Sequence, residues 1–135
     1  MRSIVNVLER SDAARLQQVR TGPVQLQRWV EGEDMRVHIV GQRCFATGVH
    51  SEAVDYRYGG AELVAAELGD AVLEGKLRAL AESMDLLLAG IDLRRTPDGR
   101  WICFEVNPAP GFTFYEDATG QPIAGAVAEL LLGGA

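Results

Sequence analysis

The most regular stretch of the chain begins after residue 34, where apolar and polar residues alternate. Between residues 35 and 39 the apolar side chains are separated by Arg36 and His38. This period of two predicts a β-strand that is buried on one face and exposed on the other. Gly41-Gln42 then predicts a tight hairpin into a second strand over residues 44–49.

Further strands are predicted on both sides of this hairpin. The apolar-rich segment Val24–Val30 is interpreted as a strand that ends in the turn-forming residues 31–34. Residues 88–95 and 100–106 are interpreted as two strands joined by the turn Thr96–Gly99. Residues 62–68 fit a strand or a helix equally well.

Three helices complete the predicted order of elements. Ser11 can cap a helix over residues 12–20, and Pro122 suits the first position of a helix that ends the chain. Apolar residues recur with a 3.6-residue period over Asp70–Leu87, which predicts the longest helix, with Gly69-Asp70 at its start. The order helix, strands, helix, hairpin, helix predicts an α+β fold with helices packed on an antiparallel sheet.

Composition and charge argue against several classes of function. The chain has 135 residues and a formal net charge of −6, which argues against a general nucleic-acid binder or a binder of anionic membranes. Cys44 and Cys103 lie apart in apolar segments, without the spacing of a zinc site. Because we find no signal peptide and no apolar run of about 20 residues, the sequence predicts a cytoplasmic protein.

Candidate chemistry lies on the last predicted hairpin. If its strands turn through residues 96–99, Asp92 faces Cys103 and lies diagonal to Glu105. Side chains two residues apart share a face, so Asp92, Glu105 and Asn107 are predicted to point the same way. Two carboxylates at that spacing repel by roughly 2 kcal/mol at an effective dielectric constant of about 20. Either they lie on a solvated sheet face, or a divalent cation with oxygen ligands, such as Mg²⁺, offsets the repulsion.

Four segments together resemble one known family. AGIDLRRTPDGRWICFEVNPAPGF is similar to the end of the ATP-grasp fold, including its magnesium motif of Asp followed by Glu-x-Asn-Pro. QRWVEGEDMRVHIVGQRCFATG resembles the hinge strand and hairpin of that fold, VDYR its arginine motif, and EDATGQPIAGAVAELL its closing helix. The resemblance covers residues 24–132. It divides the chain into an N-terminal helical segment, 1–23, and the C-terminal subdomain of an ATP-grasp fold, 24–135.

The resemblance implies an activity and the ligands that go with it. The most similar family members are ligases that resemble glutathione synthetase and the glutamate-adding ligase of ribosomal protein. They use ATP and Mg²⁺, with Mn²⁺ as an alternative ion, to activate a carboxylate as an acyl phosphate. ADP is released in that step, and an amine then attacks the acyl phosphate, which gives an amide and displaces phosphate. The implied partners of the complete enzyme are ATP and a carboxylate–amine substrate pair, with no nucleic acid and no membrane.

Carried over by position, the motifs also imply site residues. The implied Mg²⁺ ligands are Asp92, Glu105 and Asn107. The implied cations at the transferred phosphate are Arg36 and Arg57, although Arg36 also fits a salt bridge at the sheet edge. The implied adenine hinge runs from Gln27 through Trp29 to Val30, with Glu31 or Asp34 at the ribose hydroxyls. His38 and His50 have no ligand-like neighbours and are interpreted as structural.

The sequence also departs from the family pattern. The complete fold has a first subdomain that brings lysines to the phosphates, whereas the only lysine here, Lys76, lies in the long predicted helix. We therefore expect the isolated chain to bind ATP weakly and without turnover, and to pair with an N-terminal half or with a second copy. Alternatively, residues 4–16 fold back over the hinge. The alternative function is a non-catalytic binding or interaction module that kept the fold.

Overall fold

The computed structural model describes residues 7–22, 24–50 and 62–133. Within these ranges five strands form one antiparallel sheet in the spatial order β3-β2-β1-β4-β5. The strands are β1 (Glu33–Val40), β2 (Arg43–His50), β3 (Glu62–Ala66), β4 (Leu88–Arg95) and β5 (Trp101–Asn107). The helices are a 3₁₀ helix (Arg10–Thr21), α1 (Ala71–Ser83), α2 (Thr113–Thr119) and α3 (Ile123–Leu131). The predicted α+β class is confirmed.

Strand β1 is the centre of the sheet, and the prediction that it is half-buried was wrong. Residues 36–40 are all buried. Val37 and Ile39 belong to the core cluster that includes α1, whereas Val40 belongs to the cluster that includes α2 and α3. Because helices cover both faces, the polar side chains that alternate along β1 are buried as well.

Two predicted elements are confirmed with adjusted ends. Val40 pairs with Arg43, so Gly41-Gln42 forms the predicted hairpin. Asp70 caps α1 by accepting hydrogen bonds from the backbone nitrogens of Val72 and Leu73 at 2.9 and 3.0 Å. The helix ends at Ser83 rather than at residue 87, because the chain turns through residues 84–87 into β4.

The predictions for the N-terminal region need correction. Residues 24–30 do not form a strand, and all of 24–29 are exposed. Residue 30 contacts Arg94 at the end of β4, but the segment makes no ladder with a described strand and stays outside the sheet. The predicted helix over 12–20 is a 3₁₀ helix that begins at Arg10, because Glu9 and Asp12 form a capping box there. None of its residues is buried. Of the segment 4–16 that was predicted to fold back, residues 7–16 leave 24–29 exposed, and residues 4–6 lie outside the described residues.

The C-terminal part follows the prediction with small differences. Residues 62–66 form a strand, which resolves the ambiguity between strand and helix. Pro122 lies one residue before α3, at its N-cap. Helix α2 was not predicted, because its seven residues are too few to show a clear period. No helix in the described part of the chain is long and apolar enough to cross a membrane.

The register of the last hairpin differs from the predicted one. The connection is one residue longer than predicted, since Arg95 pairs with Trp101, and a bulge between Asp92 and Leu93 adds a second shift. Asp92 therefore pairs directly with Glu105, and the predicted diagonal relationship was wrong. Because two one-residue shifts restore the original parity, the predicted shared face is nevertheless correct.

Candidate functional site

A row of charged residues crosses three neighbouring strands at the middle of the sheet. Arg36 on β1 pairs with Asp92 on β4, and Asp92 pairs with Glu105 on β5. Side chains that are directly paired on one face have Cβ atoms about 4.5–5.5 Å apart. The sheet therefore places one cation and two carboxylates side by side.

Arg36 is the most enclosed member of this row. Its side chain is 8% exposed, and its Nη1 donates to Asp92 Oδ1 at 2.7 Å. Its guanidinium lies 5.6 Å from the centre of the Tyr115 ring on α2. The carboxylate and the aromatic ring fix the direction in which the positive charge points.

The electrostatic environment of Asp92 is mixed. Burial raises the pKa of its carboxyl above the ordinary value, Arg36 acts in the opposite direction, and Glu105 adds to the increase. The pKa is raised overall, which shows that burial outweighs the ion pair. A cation placed between Asp92 and Glu105 would stabilise both charged carboxylates.

Asn107 lies one row further along the same face. It pairs with Gly90 on β4, and Gly90 pairs with His38 on β1. Its Oδ1 accepts a hydrogen bond from the Ala109 nitrogen at 2.9 Å, which shapes the loop after β5. Among the described residues no group of three His, Cys, Asp or Glu side chains could hold a metal ion. The candidate set thus consists of two carboxylates and one amide.

Arg94 holds the predicted hinge segment. Its Nε and Nη2 donate to the two carboxylate oxygens of Asp34 at 2.6 and 2.8 Å, and its Nη1 donates to the Val30 carbonyl at 2.6 Å. Both oxygens of Asp34 are therefore engaged within the protein. Gln27 and Glu31 are exposed, as is Trp29 at 58%.

His38 is fully buried on the same face, two residues from Arg36. Neither of its ring nitrogens has a hydrogen-bond partner among the described residues, and its ring meets Tyr115 edge-on at 4.9 Å between centroids. Burial is the main cause that lowers the pKa of His38 to about 4; the positive charge of Arg36 acts in the same direction, and the Gly111 backbone acts against both. The imidazole is therefore neutral near pH 7.

The structure brings together most, but not all, of the predicted site residues. Arg36, Asp92, Glu105 and Asn107 share one face, while the hinge lies beside the end of β4 that carries Arg94. Arg57 and its VDYR segment lie outside the described residues. Sequence reasoning missed Arg94, although its distance of two residues from Asp92 placed it on the same face.

Comparison with known proteins identifies the fold and the family. The model of the RimK-like ATP-grasp domain matches residues 7–131. A protein of Rhodopirellula baltica named "Probable alpha-L-glutamate ligase" is 32% identical over 104 residues, which cover 74% of this chain and 25% of that protein. The chain thus spans about a quarter of the length of this curated relative.

Solved structures share the fold. The ATP-grasp ligase PsnB, in complex with Mg, ADP and a phosphomimetic variant of a minimal precursor, superposes with a TM-score of 0.81 at 23% identity, over 94% of this chain and 42% of PsnB. The macrocyclase MdnC of Microcystis aeruginosa MRC, bound to its precursor peptide MdnA, gives a TM-score of 0.68 at 28% identity, over 79% of this chain and 35% of MdnC. This chain belongs to the RimK-like ATP-grasp domain family.

Proposed function

We propose that the chain is the metal- and phosphate-binding part of an ATP- and Mg²⁺-dependent carboxylate–amine ligase that acts through an acyl phosphate. The row formed by Arg36, Asp92 and Glu105 carries this proposal. Phosphoryl transfer depends on positioned positive charge more than on covalent chemistry by the protein. The guanidinium of Arg36, held beside two carboxylates on the sheet, is a positive charge positioned in this way. The products would be an amide of the peptide type, ADP and inorganic phosphate, which the amine displaces from the acyl phosphate.

The donor set suits a hard divalent cation. Asp92 and Glu105 are directly paired and offer carboxylate oxygens, and Asn107 adds an amide on the same face. Mg²⁺ prefers oxygen ligands and commonly takes one or two carboxylates together with substrate phosphates, and Mn²⁺ accepts the same ligands. When bound, the ion would neutralise charge on the phosphates. The protein's own contribution is to hold the two carboxylates close together before binding.

The remaining residues have distinct proposed roles. Arg36 would place its charge at the transferred phosphoryl group, with Arg57 as a second cation. The backbone of Gln27, Trp29 and Val30 would meet the adenine. Glu31 is a better candidate than Asp34 for the ribose hydroxyls, because Arg94 already engages both oxygens of Asp34 whereas Glu31 is exposed.

The relatives support the class of reaction. One curated relative carries the name of a glutamate ligase, and PsnB binds Mg and ADP in its structure. A peptide or an amino acid is therefore the class of substrate that we propose, with the remainder of the nucleotide site supplied by another part of the protein, a partner or a second copy. On this proposal residues 24–135 form the C-terminal subdomain of the ATP-grasp fold.

The proposal is tested by measuring Mn²⁺ binding in the presence of ADP, with electron paramagnetic resonance reporting free Mn²⁺. Asp92→Asn and Glu105→Gln should each weaken binding by about tenfold or more, because each removes one charged ligand. Asp98→Asn is the matched control, because Asp98 is an exposed aspartate in the β4–β5 connection. Equal affinity of both site variants and the wild type would refute the metal site.

A second candidate function is a non-catalytic binding module. The ion pair between Arg36 and Asp92 favours it, because Arg36 already supplies a positive charge beside this carboxylate without any metal. The two candidates differ in one measurement. The module should show no Mn²⁺ binding that depends on both Asp92 and Glu105, whereas the ligase part should.

A further inference from the structure

Arg94 joins two parts of the chain that no β-ladder connects. It lies on β4, and its side chain is 14% exposed. Three of its nitrogens donate hydrogen bonds of 2.6–2.8 Å, two to Asp34 on β1 and one to the carbonyl of Val30. The guanidinium thus bridges the sheet and the segment that precedes it.

Two aromatic rings enclose the same guanidinium. Its central carbon lies 5.4 Å from the centre of the Trp29 ring and 5.2 Å from that of Phe104 on β5. A planar guanidinium can stack on aromatic rings while its edge donates hydrogen bonds, which an ammonium group does less well. Both the side chain of Trp29 and the backbone of Val30 are therefore held by one residue.

The segment has little else to hold it. Residues 24–30 form no strand, and 24–29 are exposed, so the described chain gives this segment no ladder and no core contact of its own. An extended exposed segment loses order unless specific contacts compensate for its conformational entropy. Arg94 supplies such contacts at the segment's last two residues.

We propose that Arg94 is a positioning residue that fixes the hinge segment, residues 27–31, against the sheet and so makes the site selective for a nucleoside triphosphate over bare triphosphate. This inference rests on the proposed function, because it assumes that the hinge meets the adenine. A preformed hinge lowers the entropy cost of binding the base. The phosphates, in contrast, would be bound by Arg36 and by the ion that Asp92 and Glu105 would hold. The Arg94 hydrogen bonds described above go to Asp34 and Val30 instead.

The first test measures order directly by ¹⁵N relaxation. In the wild type, the amides of Trp29 and Val30 should have order parameters near 0.85, and in Arg94→Leu they should fall below about 0.6. Arg94→Lys keeps a positive charge beside Asp34. An ammonium group cannot donate hydrogen bonds to Asp34 and Val30 with the planar geometry of a guanidinium, so the hinge should loosen in this variant too. Arg95→Leu is the matched control, since Arg95 also lies over an aromatic ring, Trp101, but is exposed and neighbours Arg94 in sequence.

The second test compares two ligands by NMR titration, Mg-ATP and Mg-tripolyphosphate. Arg94→Leu and Arg94→Lys should weaken ATP binding by about tenfold, the usual effect of losing a positioned hydrogen bond, and should leave tripolyphosphate binding unchanged. A purely structural role would weaken both ligands together.

The outcomes separate this inference from the proposed function. Unchanged order at Trp29 and Val30 in both Arg94 variants overturns the positioning role, and so does an equal loss of ATP and tripolyphosphate binding. If wild-type protein shows no ATP response at all, the proposed function fails, and the relaxation measurement still decides whether Arg94 fixes the segment. A loss of order in Arg95→Leu equal to that in Arg94→Leu would also overturn the inference.

Discussion

The guanidinium of Arg36 lies over Gly90 and occupies the space in which a side chain at residue 90 would stand. A Cβ at this position would lie 2.9 Å from Arg36 Nη2 and 2.6 Å from the Cβ of Pro110. Gly90 is a central strand position, where glycine is normally unfavourable. Because Gly90 has no side chain, Arg36 on β1 and Pro110 in the loop after β5 can both pack against its backbone.

Gly90→Ala should therefore destabilise the protein although alanine suits a strand better than glycine. Adding a methyl group to a filled site typically costs about 1–3 kcal/mol. The added methyl group should push Arg36 away from Asp92 and displace Pro110. Urea denaturation gives the free energy of unfolding, and a crystal structure or NMR shifts of Asp92 would report the displaced ion pair.

Gly75→Ala is the control for this substitution. A Cβ at Gly75 in α1 would meet nothing within 4 Å, so alanine should stabilise the protein by roughly 0.5–1 kcal/mol through its helix propensity. A neutral or stabilising effect of Gly90→Ala would show that Arg36 and Pro110 can move away at no cost.

The ion pair of Arg36 and Asp92 should be strongly coupled. Arg36→Met leaves Asp92 without its cation in a site where its side chain is only 29% exposed, and we expect a loss of about 2 kcal/mol. Asp92→Asn in the Arg36→Met background should then cost little more, so a double-mutant cycle should give a coupling energy of about 1–3 kcal/mol. Thermal or urea unfolding of the four proteins measures it.

The exposed pair Arg43–Glu129 provides the comparison. Its side chains are 50% and 59% exposed, so its coupling energy should be no more than about 0.5–1 kcal/mol. Equal coupling in the two pairs would contradict the conclusion that burial gives the Arg36–Asp92 pair its importance.

Local patterns were enough to predict the elements that depend on neighbouring residues. The hairpin at Gly41-Gln42 and the capping of α1 by Asp70 are confirmed, because turn residues and an N-cap act within a few positions. Two features were missed: β1 is buried on both faces, and residues 24–30 form no strand of the sheet. Both depend on which distant element lies alongside, and alternation within one segment carries no information about that.

In the site, too, the features that depend on neighbouring residues were predicted and those that depend on distant pairing were not. That Asp92 and Glu105 share a face was predicted, although two compensating register shifts were needed for the prediction to hold. The contacts of Arg36 with Asp92 and of Arg94 with Asp34 were not predicted. They require β1 to pair with β4 across more than fifty residues, and single-sequence patterns do not specify such pairing.

His38 should make stability depend on pH. Its pKa is about 4 in the folded protein and about 6.5 when unfolded, so protons bind preferentially to the unfolded chain. The stability that neutral His38 contributes is fully present above pH 6.5 and is lost as the pH falls towards 4. Between pH 7 and pH 4.5 the free energy of unfolding should fall by about 2–3 kcal/mol for this reason. Urea denaturation at these two pH values measures it.

His38→Phe should remove this part of the pH dependence while keeping an aromatic ring against Tyr115. His50→Gln is the matched control, because it removes the other histidine, which is exposed at the end of β2. If wild type and His38→Phe lose the same stability on acidification, His38 is not the responsible group.

The exposed apolar residues of the segment 24–30 should drive weak self-association. Val24, Leu26 and Trp29 are 56%, 71% and 58% exposed, and neither the 3₁₀ helix nor the sheet covers them. Large apolar side chains that are exposed close together in sequence can form an interaction site. We expect sedimentation velocity to show a concentration-dependent increase in mass, and Leu26→Ser to weaken the association by about tenfold, since burying one leucine contributes about 1.5–3 kcal/mol.

Leu132→Ser is the matched control, because Leu132 is even more exposed, at 87%, but lies after α3, away from this segment in sequence. A monomer at the highest soluble concentration, or equal effects of the two serine variants, would show that the segment 24–30 is not the contact surface.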